Sequence, residues 1–133
     1  MSQNRLHVEA EVNLTEDVSK VKEAVEKIFG PLEVQERPHP RGSLLIGSCK
    51  QGESLSRFGN LLRRERIRDA ARRVLFQGMT GDSITFYLNK QVAYAGHISF
   101  SEAVGESPLG PIKVQIKSDN PTKLINWLAP RTG

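Results

Sequence analysis

The first thirty residues change from an alternating pattern to a helical one. Residues 5–12 alternate strictly between polar and apolar side chains, and this period of two predicts a half-buried β-strand. The next segment, LTEDVSKVKEAVEKIFGP, spaces its apolar residues three and four apart, as an amphipathic helix does. Thr15 is the expected N-cap, and Gly30-Pro31 ends the helix. The chain is therefore predicted to begin with a strand and a helix.

A hairpin and a pair of helices are predicted next. Both arms of LEVQERPHPRGSLLIGSC carry apolar residues, and RPHPRG between them is rich enough in Pro and Gly to predict a loop. Farther on, Leu55, Phe58 and Leu62 share a helical face, whereas a new apolar stripe begins at Ile67. This phase slip near Glu65 and Arg66 predicts two helices, or one helix with a sharp kink.

Strands dominate the pattern in the last third of the chain. Residues 84–88 and 112–116 alternate as strands do, and residues 92–100 alternate too, although small residues there leave room for a helical start. Asn120-Pro121 begins a final short helix. The order β-α-β-β-α-(α)-β-β-β-α predicts a single α+β domain over residues 1–133. We expect two layers, with helices on one face of a mostly antiparallel or mixed sheet, and a ferredoxin-like sheet as the fallback.

Positive charge is concentrated in the helical pair. The chain carries a formal net charge of +4, and residues 57–73 contribute seven arginines against Glu65 and Asp69, or +5, which leaves −1 for the rest. Arginine is the only basic residue type in this segment, and its planar guanidinium suits bidentate recognition of phosphate. Charge confined to one segment is typical of a binding patch for a polyanion, although a solvated helical face is the plainer alternative.

Other kinds of chemistry find little support in the sequence. His7, His39 and His97 have no partners at metal-ligand spacing, and Glu9 with Glu11 is best explained as the solvated side of a strand. Ser48 and Cys49 have no evident base. We therefore expect a non-catalytic protein without a metal or cofactor. One cysteine, no secretory signal and no apolar run of roughly 20 residues predict a cytoplasmic location without membrane insertion.

Four segments carry a resemblance to a known family. AEVNLTEDVSKVKEAVEKIF, NLLRRERIRDAARRVL, ESPLGPIKVQI and NPTKLINWLAPRTG resemble the archaeal uncharacterised protein family 0201 nearly from end to end. The resemblance implies the fold of the ribosomal protein that contacts the small five-S ribosomal RNA, a two-layer α+β arrangement. The family has no established activity, so the resemblance implies no catalytic residues, and a shared fold does not establish a shared function.

The sequence thus favours non-enzymatic RNA binding. The predicted phosphate contacts come from the arginines of residues 57–73, with two lysines of a later strand extending the surface: Arg57, Arg63, Arg64, Arg66, Arg68, Arg72, Arg73, Lys113 and Lys117. Duplex DNA is disfavoured because the break near Glu65 lacks the usual 3–4-residue turn of a helix-turn-helix. Tyr87 could stack a base, although the paired aromatics of an RNA recognition motif are missing. The alternative is a protein-interaction or dimerisation module that meets an acidic partner or a second copy.

Overall fold

Seven strands and five helices make up the part of the chain that the structure, a computed structural model, describes: residues 4–50, 52–102 and 110–131. In chain order the elements are β1 (Asn4–Asn13), α1 (Val18–Phe29), β2 (Glu33–His39), β3 (Gly42–Cys49), α2 (Glu53–Arg64), α3 (Arg68–Gln77), β4 (Met79–Thr80), β5 (Ser83–Asn89), α4 (Lys90–Tyr94), β6 (Phe100–Ser101), β7 (Pro111–Ser118) and α5 (Pro121–Leu128).

The strands form one sheet in the order β2-β3-β1-β7-β5-β4, and β6 pairs with β5. Every strand pair in the described residues is antiparallel. Strand β3 lies between β1 and β2, which α1 connects, so the first three strands form the split β-α-β arrangement of ferredoxin-like proteins. The predicted α+β sheet is confirmed, and its described part is antiparallel rather than mixed.

The core lies between the sheet and the helices on one of its faces. Alternate residues of β1, β5 and β7 are buried on that face, as Val8, Phe86 and Val114 illustrate. Three aromatic rings join the layers, because Phe58 of α2 lies 5.3 Å from Phe29 of α1 and 5.4 Å from Phe86 of β5, measured between ring centroids. The opposite face of the sheet is not covered by the described helices, and we call it the open face.

Two local predictions were wrong, and one alternative that the sequence left open is decided. Helix α1 begins at Val18, and its N-cap is Asp17, whose carboxylate accepts from the Ser19 backbone N–H at 2.9 Å, whereas Thr15 lies in a turn. The predicted loop 37–42 shrinks to a two-residue turn because residues 37–39 belong to β2, an edge strand that tolerates proline. Residues 90–94 form a helix, which is the helical start that the small residues left open, and the Asn89 side chain caps it by accepting from the Val92 N–H.

A buried ion pair fixes α4 against the first strand. Lys90 is fully buried, and its ammonium donates to the Glu11 carbonyl at 2.5 Å and to the Glu16 carboxylate at 3.1 Å. Burial raises the pKa of Glu16, but hydrogen bonds from Asn13 and the charge of Lys90 hold it below its ordinary value. Burial and the neighbouring Glu16 raise the pKa of Tyr94 to about 12. The network positions α4 and the loop that follows it.

Candidate nucleic-acid interface

Helices α2 and α3 meet at a sharp corner formed by residues 65–67. The Ile67 N–H donates to the Leu62 carbonyl at 3.2 Å, and the Arg66 N–H donates to the Arg63 carbonyl at 3.2 Å. These are the two hydrogen bonds of a Schellman motif, which requires a left-handed residue after the C-cap. Arg66 is that residue, with a φ of 59°, and it is the only described non-glycine residue with positive φ. The predicted break into two helices is confirmed.

The corner also corrects one reason for disfavouring duplex DNA. Helix α2 ends at Arg64 and α3 begins at Arg68, so three residues connect the helices. A three-residue turn lies within the range that helix-turn-helix motifs use. The predicted absence of such a turn was therefore wrong.

The seven arginines differ in exposure and do not form a single surface. Arg63, Arg64 and Arg66 cluster at the exposed corner, and we call these three residues the arginine corner. Arg73 is exposed on α3, whereas Arg68 is half-buried in its first turn. The structure therefore brings three of the predicted residues together at the end of α2 and distributes the others along α2 and α3.

Two of the arginines make contacts inside the protein. The Arg72 guanidinium donates to the Ala129 carbonyl at 3.1 Å and lies 4.9 Å from the centroid of the Phe76 ring, so it joins α3 to the end of α5. Arg57 lies against the end of α1, because a Cβ atom added to Gly30 would be 3.3 Å from the Arg57 Cδ. Both side chains therefore have a structural role, whatever else they bind.

Glu65 anchors the arginine corner to the loop after α4. Its carboxylate lies 2.8 Å from His97 Nδ1 and accepts from the Ile98 backbone N–H at 3.4 Å. The Glu65 carboxylate therefore contacts the loop after α4 through the His97 ring and the Ile98 backbone. Glu65, one of the two acidic residues in the arginine segment, thus positions the corner.

The two predicted lysines lie elsewhere. Lys113 and Lys117 belong to the open face, because Ile112, Val114 and Ile116 of the same strand point into the core. The arginine corner belongs to the helical layer on the other side of the sheet. The structure therefore does not join the lysines to the arginines, and the two groups form separate basic regions. The alternating pattern of β7 correctly predicted that both lysines point away from the core. It could not predict that they lie on the opposite side of the sheet from the arginines.

The other candidate groups make local pairs. His7 Nε2 lies 3.0 Å from Glu9 Oε1, and His39 Nε2 lies 3.7 Å from Glu11 Oε1. In the described ranges no three His, Cys, Asp or Glu side chains are grouped so that they could hold a metal ion. No helix within those ranges is long and apolar enough to cross a membrane.

The left-handed backbone of Arg66 was not foreseen from the sequence. The phase slip located the corner, but glycine is the usual residue at this position of the motif and arginine gives no such signal. Ile67 is the one signal in the sequence that could have indicated the motif. An apolar residue directly after the left-handed position commonly contacts the end of the helix.

Comparison with known proteins places the chain among archaeal relatives. A family model described as "RNA binding" matches residues 5–118. A UPF0201 protein of Pyrobaculum aerophilum is 41% identical over 129 residues, which cover 96% of this chain and 90% of the relative. A UPF0201 protein of Sulfolobus acidocaldarius is 44% identical over 128 residues, with coverages of 96% and 88%.

Solved structures give the same grouping. The crystal structure of the UPF0201 protein from Methanococcus jannaschii superposes with a TM-score of 0.84 at 37% identity, covering 97% of this chain and 95% of that one. A DUF54 protein from Methanothermobacter thermautotrophicus superposes with a TM-score of 0.63 at 16% identity and 96% coverage of both chains, which shows a shared fold.

Proposed function

The chain belongs to the UPF0201 family, and we propose that it binds RNA without catalysis, through phosphate contacts centred on the arginine corner. The observation that carries the proposal is that an arginine, and not a glycine, occupies the left-handed position of the Schellman motif after α2. A left-handed conformation costs an L-residue roughly 1–2 kcal/mol, and glycine would adopt it without this cost. Strained residues that persist at an exposed position are found preferentially at functional sites.

Stabilisation of the end of α2, which needs no ligand, explains only part of the arginine corner. Arg63 and Arg64 lie in the last turn of α2, where positive charge stabilises the negative end of the helix dipole. Arg66 is the second residue after α2 and lies next to the same negative end, but that effect does not require an arginine in the left-handed position, where glycine is the usual residue. The choice of arginine over glycine therefore calls for a separate reason, and a phosphate held between neighbouring guanidinium groups supplies one.

The description of the matching family model supports RNA over other polyanions. The geometry supports recognition of phosphate and shape rather than of base sequence, since the corner offers guanidinium groups and no aromatic platform. Arg57 and Arg72, which are used inside the protein, are secondary to Arg63, Arg64 and Arg66 in this proposal.

A charge-matched pair of double variants tests the site. Arg63→Glu/Arg66→Glu reverses two charges at the corner, whereas Arg37→Glu/Arg41→Glu reverses two exposed arginines at the β2–β3 hairpin. Each variant lowers the formal net charge from +4 to 0. Binding of a structured RNA should weaken at least tenfold more in the corner variant, because phosphate contacts act locally. Equal losses would mean that only net charge matters, and the corner would not be the site.

The same experiment separates the alternative function. If the wild-type protein binds no RNA at low salt and sediments as a tight dimer that the corner variant dissociates, the arginine corner serves protein association instead.

A further inference from the structure

A second basic site lies on the open face, at the end of the sheet where β1 begins and β7 ends. A groove of about 940 Å³ is lined there by residues from several strands and connections. Its polar lining includes Arg5, His7, Lys50, Lys117, Gln115 and Glu33. Glu33 is the one acidic side chain among the described residues of the lining, so the groove has an excess of positive charge.

The register of the strands makes this charge unusual. Arg5 of β1 lies directly opposite Lys117 of β7. Directly opposed like charges destabilise a sheet. Lys50, the residue after β3, adds a third positive charge to the lining of the same groove.

Lys113, the other lysine of β7 on the open face, has a different residue opposite it. Lys113 lies opposite Glu9 on β1, and it faces Tyr87 on β5. Opposite charges at directly paired positions stabilise a sheet by roughly 0.2–1 kcal/mol. The register therefore places one lysine of β7 opposite an acidic residue and the other opposite a second cation, inside a groove. An anionic ligand would remove that repulsion.

We infer that this groove binds a phosphoryl group, held between Arg5 and Lys117 with Lys50 at its edge. Arginine offers bidentate donors and lysine a compact charge, the combination that phosphate sites use. Gln115 and His7 lie in the neighbouring row and add further polar side chains to the lining of the groove. The site is on the opposite side of the sheet from the arginine corner, so it does not depend on the proposed RNA contact there.

A single charge reversal with a control on the same strand tests the inference. Lys117→Glu makes an opposite-charge pair with Arg5, so we expect pyrophosphate binding to weaken at least tenfold while the Tm rises by about 1–4 °C. Lys113→Glu faces Glu9 instead, so the Tm should fall and the affinity for pyrophosphate should stay within about twofold. Isothermal titration with pyrophosphate and differential scanning fluorimetry provide both readouts.

Three probes distinguish the sources of the phosphoryl group. Pyrophosphate, adenosine monophosphate and a single-stranded RNA are titrated in turn into the wild-type, Lys117→Glu and Arg63→Glu/Arg66→Glu proteins. Loss of binding in Lys117→Glu alone supports the groove, and the probe bound most tightly identifies its ligand class. The inference is overturned if the wild type binds none of the three at millimolar concentration, or if the Lys113→Glu and Lys117→Glu variants lose affinity equally.

The outcomes also separate this groove from the proposed function. RNA binding that survives Lys117→Glu but is lost in the corner variant supports the arginine corner as the RNA site. The groove is then tested by whether Lys117→Glu weakens the binding of pyrophosphate. Pyrophosphate binding that persists in a corner variant unable to bind RNA supports the groove as an independent site.

Discussion

Replacing Lys90 by methionine tests the buried ion pair that holds α4. Lys90 is fully buried, and the Glu16 side chain that it contacts is only 7% exposed, so the variant leaves a carboxylate almost without solvent or counter-ion. Removing one partner of a buried pair destabilises a protein by about 3–5 kcal/mol. For a domain of this size we expect the Tm to fall by roughly 10–20 °C.

The double variant Lys90→Met/Glu16→Gln provides the control. It removes both charges, and the side-chain oxygen of the introduced glutamine can still accept from the Asn13 backbone and side-chain amides that bond Glu16 in the wild type. We therefore expect it to recover at least half of the lost stability, measured by urea unfolding of both variants and the wild type. A loss below about 1 kcal/mol in the single variant would refute the role assigned to the pair.

The sign of the pH dependence follows from Glu16. Its folded-state pKa lies below the ordinary value of 4.5, so its stabilising contribution is present above that pH and is lost as the pH falls through the folded pKa. Lys90→Met removes a cause of that lowering while burial still raises the pKa. The difference in stability between the variant and the wild type should thus narrow from pH 7 to about pH 3.5. A constant difference would contradict this account of Glu16.

Two further substitutions test the backbone assignments. Arg66→Gly should raise the free energy of unfolding by about 0.5–1 kcal/mol, since relief of the left-handed conformation exceeds the cost of the flexibility that glycine adds to the unfolded chain. RNA affinity should fall, and chemical denaturation and fluorescence anisotropy measure the two effects. A loss of stability would show that Arg66 is not strained. Gly78→Ala should cost at least about 2 kcal/mol, because the new Cβ would lie 1.9 Å from the Thr85 carbonyl oxygen. The control Gly59→Ala meets Leu128 only at ordinary contact distance, so equal Tm changes would contradict the assignment.

Periodicity recovered the elements whose burial depends on their own residues. Strand β1 and helix α1 could be predicted because alternation and helical spacing directly report which side chains face the core. For segment 90–94 the sequence left strand and helix open, since the burial of Lys90 depends on its pairing with Glu16, 74 positions away. Pairing across such a separation leaves no local signal.

The candidate sites show the same division. The arginine segment and its break were visible in the sequence, but the internal contacts of Arg72 with Ala129 depend on how α3 and α5 pack. The opposition of Arg5 and Lys117 depends on strand register, which a single sequence does not fix for strands more than a hundred residues apart. The number of charged residues could therefore be counted from the sequence, whereas the surface on which each of them lies could not be predicted.

The most direct test of RNA binding at the arginine corner is a fluorescence anisotropy titration of a structured RNA at several salt concentrations. The logarithm of the affinity should fall linearly with the logarithm of salt, by about 0.7–0.9 per phosphate neutralised. The slope should shrink by about 1–2 in Arg63→Glu/Arg66→Glu and stay unchanged in Arg37→Glu/Arg41→Glu. No binding at low salt, or the same slope in all three proteins, would contradict the proposal that the arginine corner contacts RNA.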